Sequence, residues 1–237
     1  EAAGFQVILP SVPLCCGRPL YDYGMLTLAR TMLVRIVDAL RPQLQAGICV
    51  VGVEPSCVSV FRDELRNMLH GDETAARLSA QTYLLTEFLV AKAPEFVVPP
   101  LHAKAIVHGH CHQKAVLRVC DEQTLLTRMG LDYTVLDAGC CGMAGAFGFE
   151  KGDHYDLAIA CGERVLLPKV REVAPDTLVV SNGFSCREQI AQTTDRQAMH
   201  IAQVLKMALD GTKPGPLPEL AFMPDIPAHK RRRRAHA

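Results

Sequence analysis

The sequence has no tryptophan and only 5% aromatic residues, so its core must be built mainly from aliphatic side chains. Its formal net charge is zero, which argues against a nucleic-acid-binding body. It never runs for about 18 uncharged apolar residues, the length a membrane-spanning helix needs. It shows no secretory signal peptide and no C-x-x-C spacing, the usual knuckle of zinc ribbons. No paired acid and base and no Ser-His-Asp arrangement stands out. The glycines from Gly142 to Gly148 lack the order and flanks of a dinucleotide fingerprint.

What is present is cysteine. The 237 residues are 49% hydrophobic, enough to bury a substantial core in one large domain or two small ones. They include 10 cysteines. A short secreted scaffold with a poor core would use them as disulfides, but this composition is of another kind. A reducing compartment, the cytoplasm, is expected.

The cysteines repeat. Cys15-Cys16-Gly17 follows the strand-like run Val7-Ile8-Leu9, and Cys140-Cys141-Gly142 follows Val135-Leu136. Each triplet is followed, after a helical stretch and another strand-like run, by Ser-Cys: Ser56-Cys57 and Ser185-Cys186. Chance does not readily produce that order twice, so the cysteines belong to a duplicated site. The chain opens without Met, in a stretch that matches the middle of the second repeat. The first repeat is therefore expected to be truncated at its N-terminus.

Hydrophobic periodicity predicts strands at 6–9, 48–53, 105–107, 133–136 and 177–180. Helices are predicted from Met25 to Leu40, from near Cys57, over 73–93, up to about Met129, over 155–173 with a break at Pro168, and over 196–209. Pro42 should end or restart the first of these. The stretch from Met199 to Leu205 corresponds to that from Thr82 to Phe88. Alternating strands and helices imply an α/β fold of two pseudo-twofold-related units, each a small parallel sheet flanked by helices. The expected domains are 1–100, the incomplete first unit, and 101–212, the second. Residues 213–237 are expected to be a disordered tail, with the basic run Lys230–Arg234 as a solvated segment.

The repeated cysteines fall in loops just after strands, the ligand-binding edge of open parallel sheets. In the second unit the converging set is Cys111, Cys140, Cys141 and Cys186. Four thiolates suit a 2Fe–2S or 4Fe–4S cluster, and also structural zinc. Adjacent Cys140 and Cys141 cannot easily chelate one tetrahedral ion but can reach different irons of a cluster, so iron–sulfur is preferred over zinc. Gly142, Gly145 and Gly148 would let backbone N–H groups turn toward the sulfurs. The first unit offers Cys15, Cys16 and Cys57, and the counterpart of Cys111 would fall before residue 1. His108, His110 and His112 flank Cys111 as outer-shell candidates or as plain loop residues, with His112 first among them. Cys49, Cys120 and Cys161 have no repeat counterpart and are expected to be buried, inert thiols.

The stretches Leu14–Leu20, Glu54–Cys57, His108–Gln113, Ala138–Gly145 and Ser181–Cys186 together resemble the duplicated cysteine-rich (CCG) domain of iron–sulfur oxidoreductases. Relatives of that kind include the B chain of heterodisulfide reductase, the iron–sulfur protein of glycolate oxidase, the C chain of anaerobic glycerol-3-phosphate dehydrogenase, lactate-utilisation proteins and the C-terminal part of FAD-linked oxidases. The likeness runs from residue 5 to about residue 210. It implies an electron-transfer domain that takes electrons from flavin-linked oxidation of a 2-hydroxy acid or glycerol 3-phosphate and delivers them to a quinone or another acceptor. The implied partners are a flavin dehydrogenase, as a domain or a separate chain, with FAD bound; a ferredoxin-like iron–sulfur domain; and a quinone-reducing membrane partner. The last would hold the protein peripherally at the inner face of the membrane. One departure counts. The heterodisulfide reductase pattern ends in C-x-x-C, but here Glu54 and Gly183 stand three residues before the final cysteines. That weighs against a non-cubane cluster and disulfide chemistry. A cluster-based disulfide reductase and a zinc-stabilised docking module are the alternatives.

Overall fold

The computed structural model describes residues 1–117 and 120–222. The chain folds as two compact units, one formed by Glu1–Val97 with His112–Glu122, the other by Val98–Cys111 with the chain from Gln123 on. Both are small parallel sheets flanked by helices, as the α/β reading expects. The basic run Lys230–Arg234 lies outside the described residues.

In the first unit, strands β1 (Val50–Gly52) and β2 (Thr82–Leu84) pair in parallel, Val50 opposite Thr82 and Gly52 opposite Leu84. The helix Leu26–Gln45 lays Ala29, Leu33, Ile36, Val37 and Leu44 into the core, a stripe spaced mostly three to four residues apart. Pro42 does not end this helix. It stands in the last turn, where only the bond to the Asp38 carbonyl is forfeited, and Ala46 N–H still donates to Pro42 O at 3.0 Å.

Two expectations fail in this unit. Residues 6–9 form no strand, and Val7, Ile8 and Leu9 are 58%, 55% and 81% exposed. Their counterpart in the second unit pairs only with a central strand, and no described strand of the first unit takes that place. An apolar run without a ladder partner does not become a strand. The second failure is the helix predicted over 73–93. It is two helices, Glu73–Gln81 and Leu85–Lys92, with β2 between them. Arg62 donates from Nε and Nη2 to the Thr82 carbonyl, at 3.2 and 2.7 Å, and so takes that acceptor out of the helical pattern. The Glu87 carboxylate then accepts from Leu84 N–H at 2.8 Å, which starts the next helix.

In the second unit, β3 (Lys104–Val107) lies between β4 (Asp132–Val135) and β5 (Leu178–Val180), all parallel. Val107 faces Val135 on one side and Val180 on the other, so the three strands end level. All three β5 residues are buried, as expected of a strand covered on both faces. Val180 also bridges to Met199. The helical stretch after β4 breaks at Arg164–Val165 and not at Pro168, which is the third residue of the helix Leu166–Glu172. There a proline sacrifices no intrahelical bond. The last long helix starts at Ile201 and not at 196, because His200 caps it: Nδ1 accepts from Ala202 N–H at 3.0 Å, and Gln203 Oε1 accepts from His200 N–H at 2.8 Å. The same Glu/Gln device at Leu84 and His200 places the repeat match one residue away from the Met199–Thr82 alignment.

The chain after Gly211 shows no periodicity, yet residues 213–222 have a fixed place. Leu217 N–H donates to Pro175 O at 2.8 Å. Arg196 and Glu219, 8% and 5% exposed at their side chains, form a two-pronged ion pair with N···O distances of 2.7 and 3.1 Å. Among the described residues no helix is long and apolar enough to cross a membrane.

Candidate metal centre

Parallel neighbours that end level send their following loops out at one edge. The loop after β3 carries His108 to Cys111, the loop after β4 carries Cys140 and Cys141, and the loop after β5 leads through Gly183 to Cys186. The four cysteines, all free thiols, neighbour one another in turn: Cys111 and Cys141 bear on Cys140, and Cys186 on Cys141. Cys140 is exposed, Cys111 half-buried, and Cys141 and Cys186 buried.

Charge gathers on two of the four sulfurs. Hydrogen bonds from the Cys111 and Cys141 side chains, aided by Gly142 and Ala144 N–H groups and opposed by burial, pull the Cys140 thiol down to about 2. Hydrogen bonding to Cys141, opposed by burial and helped by His108, holds Cys186 well below the ordinary thiol value. Cys141 lies between two thiolates, and its hydrogen bonds to Cys140 and Cys186, together with burial, push its pKa far up. Thiolates gathered in this way call for a cation.

The backbone offsets part of the charge. Gly142 N–H donates to Cys140 Sγ at 3.3 Å. Gly142, Ala144 and Gly145 have φ of 97°, 42° and 66°, which turns successive N–H groups to one side as an anion-binding nest. Only glycine fits at 142, because a Cβ there would lie 2.0 Å from the Ala158 carbonyl oxygen of the helix Asp153–Glu163. Gly148 plays a different part from the one expected. Its N–H donates to Met143 O at 2.9 Å, closing the loop instead of meeting a sulfur.

The histidines separate. His112 turns with the helix Cys111–Ala115, while His108 and His110 stay on the loop, 2% and 4% exposed. Both imidazoles help stabilise the Cys186 thiolate. The His110 ring fills the space beside Gly183, where a Cβ would lie 2.1 Å from its Cδ2. His108 lies against Cys186, yet neither of its ring nitrogens has a partner in full hydrogen-bonding geometry. Ligand atoms of the consecutive His110, Cys111 and His112 also lie within 4.8 Å of one another.

In the first unit Cys16 and Cys57 share a hydrogen bond, 2.8 Å between sulfurs. That bond, opposed by burial and helped by Arg18, lowers Cys16 to about 7 and raises Cys57. Cys15 is exposed and reaches Cys57 only through its charge. Sequence reasoning missed Arg18 as a site residue. It donates to Ser56 O at 3.3 Å and Ser59 Oγ at 2.9 Å and pairs with Glu64, which braces the loop that carries Cys57. A basic residue two positions after the thiolate pair was the available signal. The unrepeated cysteines are not deeply buried: Cys49 and Cys161 are half-buried and Cys120 is exposed at the start of a helix.

Four neighbouring thiols, with backbone N–H groups beside Cys140 and a buried imidazole beside Cys186, fit a bound metal–thiolate group. No protein-family model matches the chain. It is 32% identical over 214 residues to the C chain of the anaerobic glycerol-3-phosphate dehydrogenase of Escherichia coli, covering 88% of this chain and 53% of that protein. It is 31% identical over 223 residues to lactate utilization protein A of Bacillus velezensis, covering 86% of this chain and 88% of the relative. The chain belongs to the lactate utilization protein A family. Members of the wider CCG group to which it is similar include D-2-hydroxyglutarate dehydrogenase of Escherichia coli, 26% identical over 223 residues that make up 20% of that enzyme. The chain is thus an oxidoreductase component. It spans about half the length of the glycerol-3-phosphate dehydrogenase chains it matches.

Proposed function

We propose that the chain holds an iron–sulfur cluster, of the 4Fe–4S kind, on Cys111, Cys140, Cys141 and Cys186, and relays electrons from a flavin-dependent dehydrogenase to a quinone or another acceptor. The observation that carries this reading is the meeting of four thiols from three loops at one sheet edge. Such a cluster, when bound, supplies one-electron storage at a potential set by its surroundings. The rest is the work of this chain. Cys141 and Cys186 hold the buried end away from water, and Cys140 presents the other end near the surface. The Gly142 and Ala144 N–H groups offset negative charge as it accumulates. Adjacent Cys140 and Cys141 suit a multinuclear group better than a lone zinc ion.

The named relatives are a glycerol-3-phosphate dehydrogenase chain, a lactate utilization protein and a D-2-hydroxyglutarate dehydrogenase. The electrons therefore come from a 2-hydroxy acid or glycerol 3-phosphate, through an FAD-bearing dehydrogenase and a ferredoxin-like iron–sulfur domain. A quinone-reducing partner at the inner face of the membrane is the natural acceptor. The disulfide-reductase alternative needs a fifth thiolate, and the His110 ring takes up the space a side chain at position 183 would need. The first unit, with Cys15, Cys16 and Cys57, offers three thiols for a second site. Iron and acid-labile sulfide analysis of anaerobically purified protein tests the reading. Iron and sulfide in near-equal amounts are expected, and stoichiometric zinc without sulfide overturns it.

A further inference from the structure

We infer that His108 is a positioning residue for the buried end of this site, an N–H donor beside the Cys186 sulfur that raises the reduction potential of the bound cluster. The inference rests on the iron–sulfur reading above. Its basis is a fully buried imidazole beside Cys186. His108 is 2% exposed, and neither ring nitrogen has a partner in full hydrogen-bonding geometry. An unpaired buried polar group costs stability, and folds rarely keep one without use.

The backbone on which the ring stands is fixed. His108 N–H donates to Val180 O at 2.9 Å, and Ser181 Oγ donates to His108 O at 3.1 Å. Both partners belong to the β5 strand and loop that lead to Cys186, so ring and sulfur are held by the same pair of segments. His110, by contrast, acts through shape, with its ring seated over Gly183.

The two ends of the thiol set are served differently. Backbone N–H groups of Gly142 and Ala144 bear on Cys140 at the exposed end. The His108 and His110 imidazoles bear on Cys186 at the buried end. His108 therefore does at the buried end what the nest does at the exposed one. One-electron reduction by a low-potential donor adds one negative charge and neither makes nor breaks a bond. An N–H held toward the sulfur favours the more negative state.

The experiment compares the whole chain with His108→Leu, His108→Gln and the exposed control His154→Leu. Iron and sulfide content comes first: absence of sulfide in the parent protein defeats the iron–sulfur reading itself. With the cluster present, redox titration followed by electron paramagnetic resonance tests His108. His108→Leu is expected to lower the equilibrium constant for reduction about tenfold, about 59 mV for a one-electron couple. His108→Gln, which keeps an N–H donor, should recover most of that loss, and His154→Leu should not change it. Equal potentials in the parent and His108→Leu overturn the inference. Should His108→Leu fail to assemble, the parent protein labelled with nitrogen-15 in histidine decides. Hyperfine coupling from a histidine nitrogen, lost in His108→Gln, supports the inference, and its absence from the parent overturns it.

Discussion

Gly142 and Ala158 are so closely apposed that any Cβ at position 142 would lie 2.0 Å from the Ala158 carbonyl oxygen. This contact presses the cysteine loop onto the helix Asp153–Glu163 and holds Gly142 N–H at 3.3 Å from Cys140 Sγ. Gly142→Ala should cost about 1–3 kcal/mol in overpacking and about 1–3 kcal/mol more for alanine at a φ of 97°. Gly139→Ala, two residues before Cys141 and free of any atom within 4 Å of its added Cβ, should be close to neutral. Thermal unfolding of the two variants checks the difference. Similar melting temperatures would mean that the loop is not seated on this helix.

Gly183 and His110 make a second such pair, with a Cβ at 183 only 2.1 Å from the ring. Gly183→Ala alone should displace the imidazole and destabilise the protein. His110→Ala should remove the obstacle, so the double variant should be more stable than the two single losses add up to, by about 0.5–3 kcal/mol of coupling. Denaturant unfolding of the four proteins measures this. Additive losses would show that the ring yields freely.

Much of the site was legible because strands write their loops into the sequence. An apolar run followed by cysteine three times over, at β3, β4 and β5, is enough to bring Cys111, Cys140–Cys141 and Cys186 to one edge. What escaped depends on partners distant in sequence. Residues 6–9 have the composition of a strand but no ladder to join. Thr82–Leu84 reads as helix until Arg62 draws on the Thr82 carbonyl. The choice among the histidines was hidden as well. His108, His110 and His112 are equivalent by spacing, and only the fold buries His108 and His110 and sets both beside Cys186.

Residues 213–222 show the same dependence on a distant partner. Nothing periodic marks them, yet Glu219 meets Arg196 in a buried pair, and Arg196 also donates to Thr177 O at 2.7 Å. Removing one member leaves a buried charge unpaired. Glu219→Ala should therefore cost about 3–5 kcal/mol, while replacing both residues with apolar ones of similar size should cost less. Proteolysis should then cut the 213–222 stretch early in the single variant. Unchanged resistance to cleavage would show that Leu217 and its bond to Pro175 O suffice to hold it.

The cysteines themselves give the sharpest contrast. Cys141 is 3% exposed and stands between Cys140 and Cys186, whereas Cys161 is half-buried on a helix and Cys120 is exposed. Serine is a poor substitute for a thiolate toward iron, so Cys141→Ser should abolish the visible charge-transfer absorption and the sulfide content of the second-unit site. Cys161→Ser and Cys120→Ser should retain both. The first unit is the harder case, because its Cys16–Cys57 pair already satisfies itself by a 2.8 Å hydrogen bond. With Cys15 it brings one thiol fewer than the second unit. Replacing Cys16 and Cys57 by serine should therefore leave the iron and sulfide bound through Cys111, Cys140, Cys141 and Cys186 in place. Total loss of sulfide in that double variant would mean that the two units bind their metal as one site, and the assignment of four ligands to the second unit would have to be redrawn.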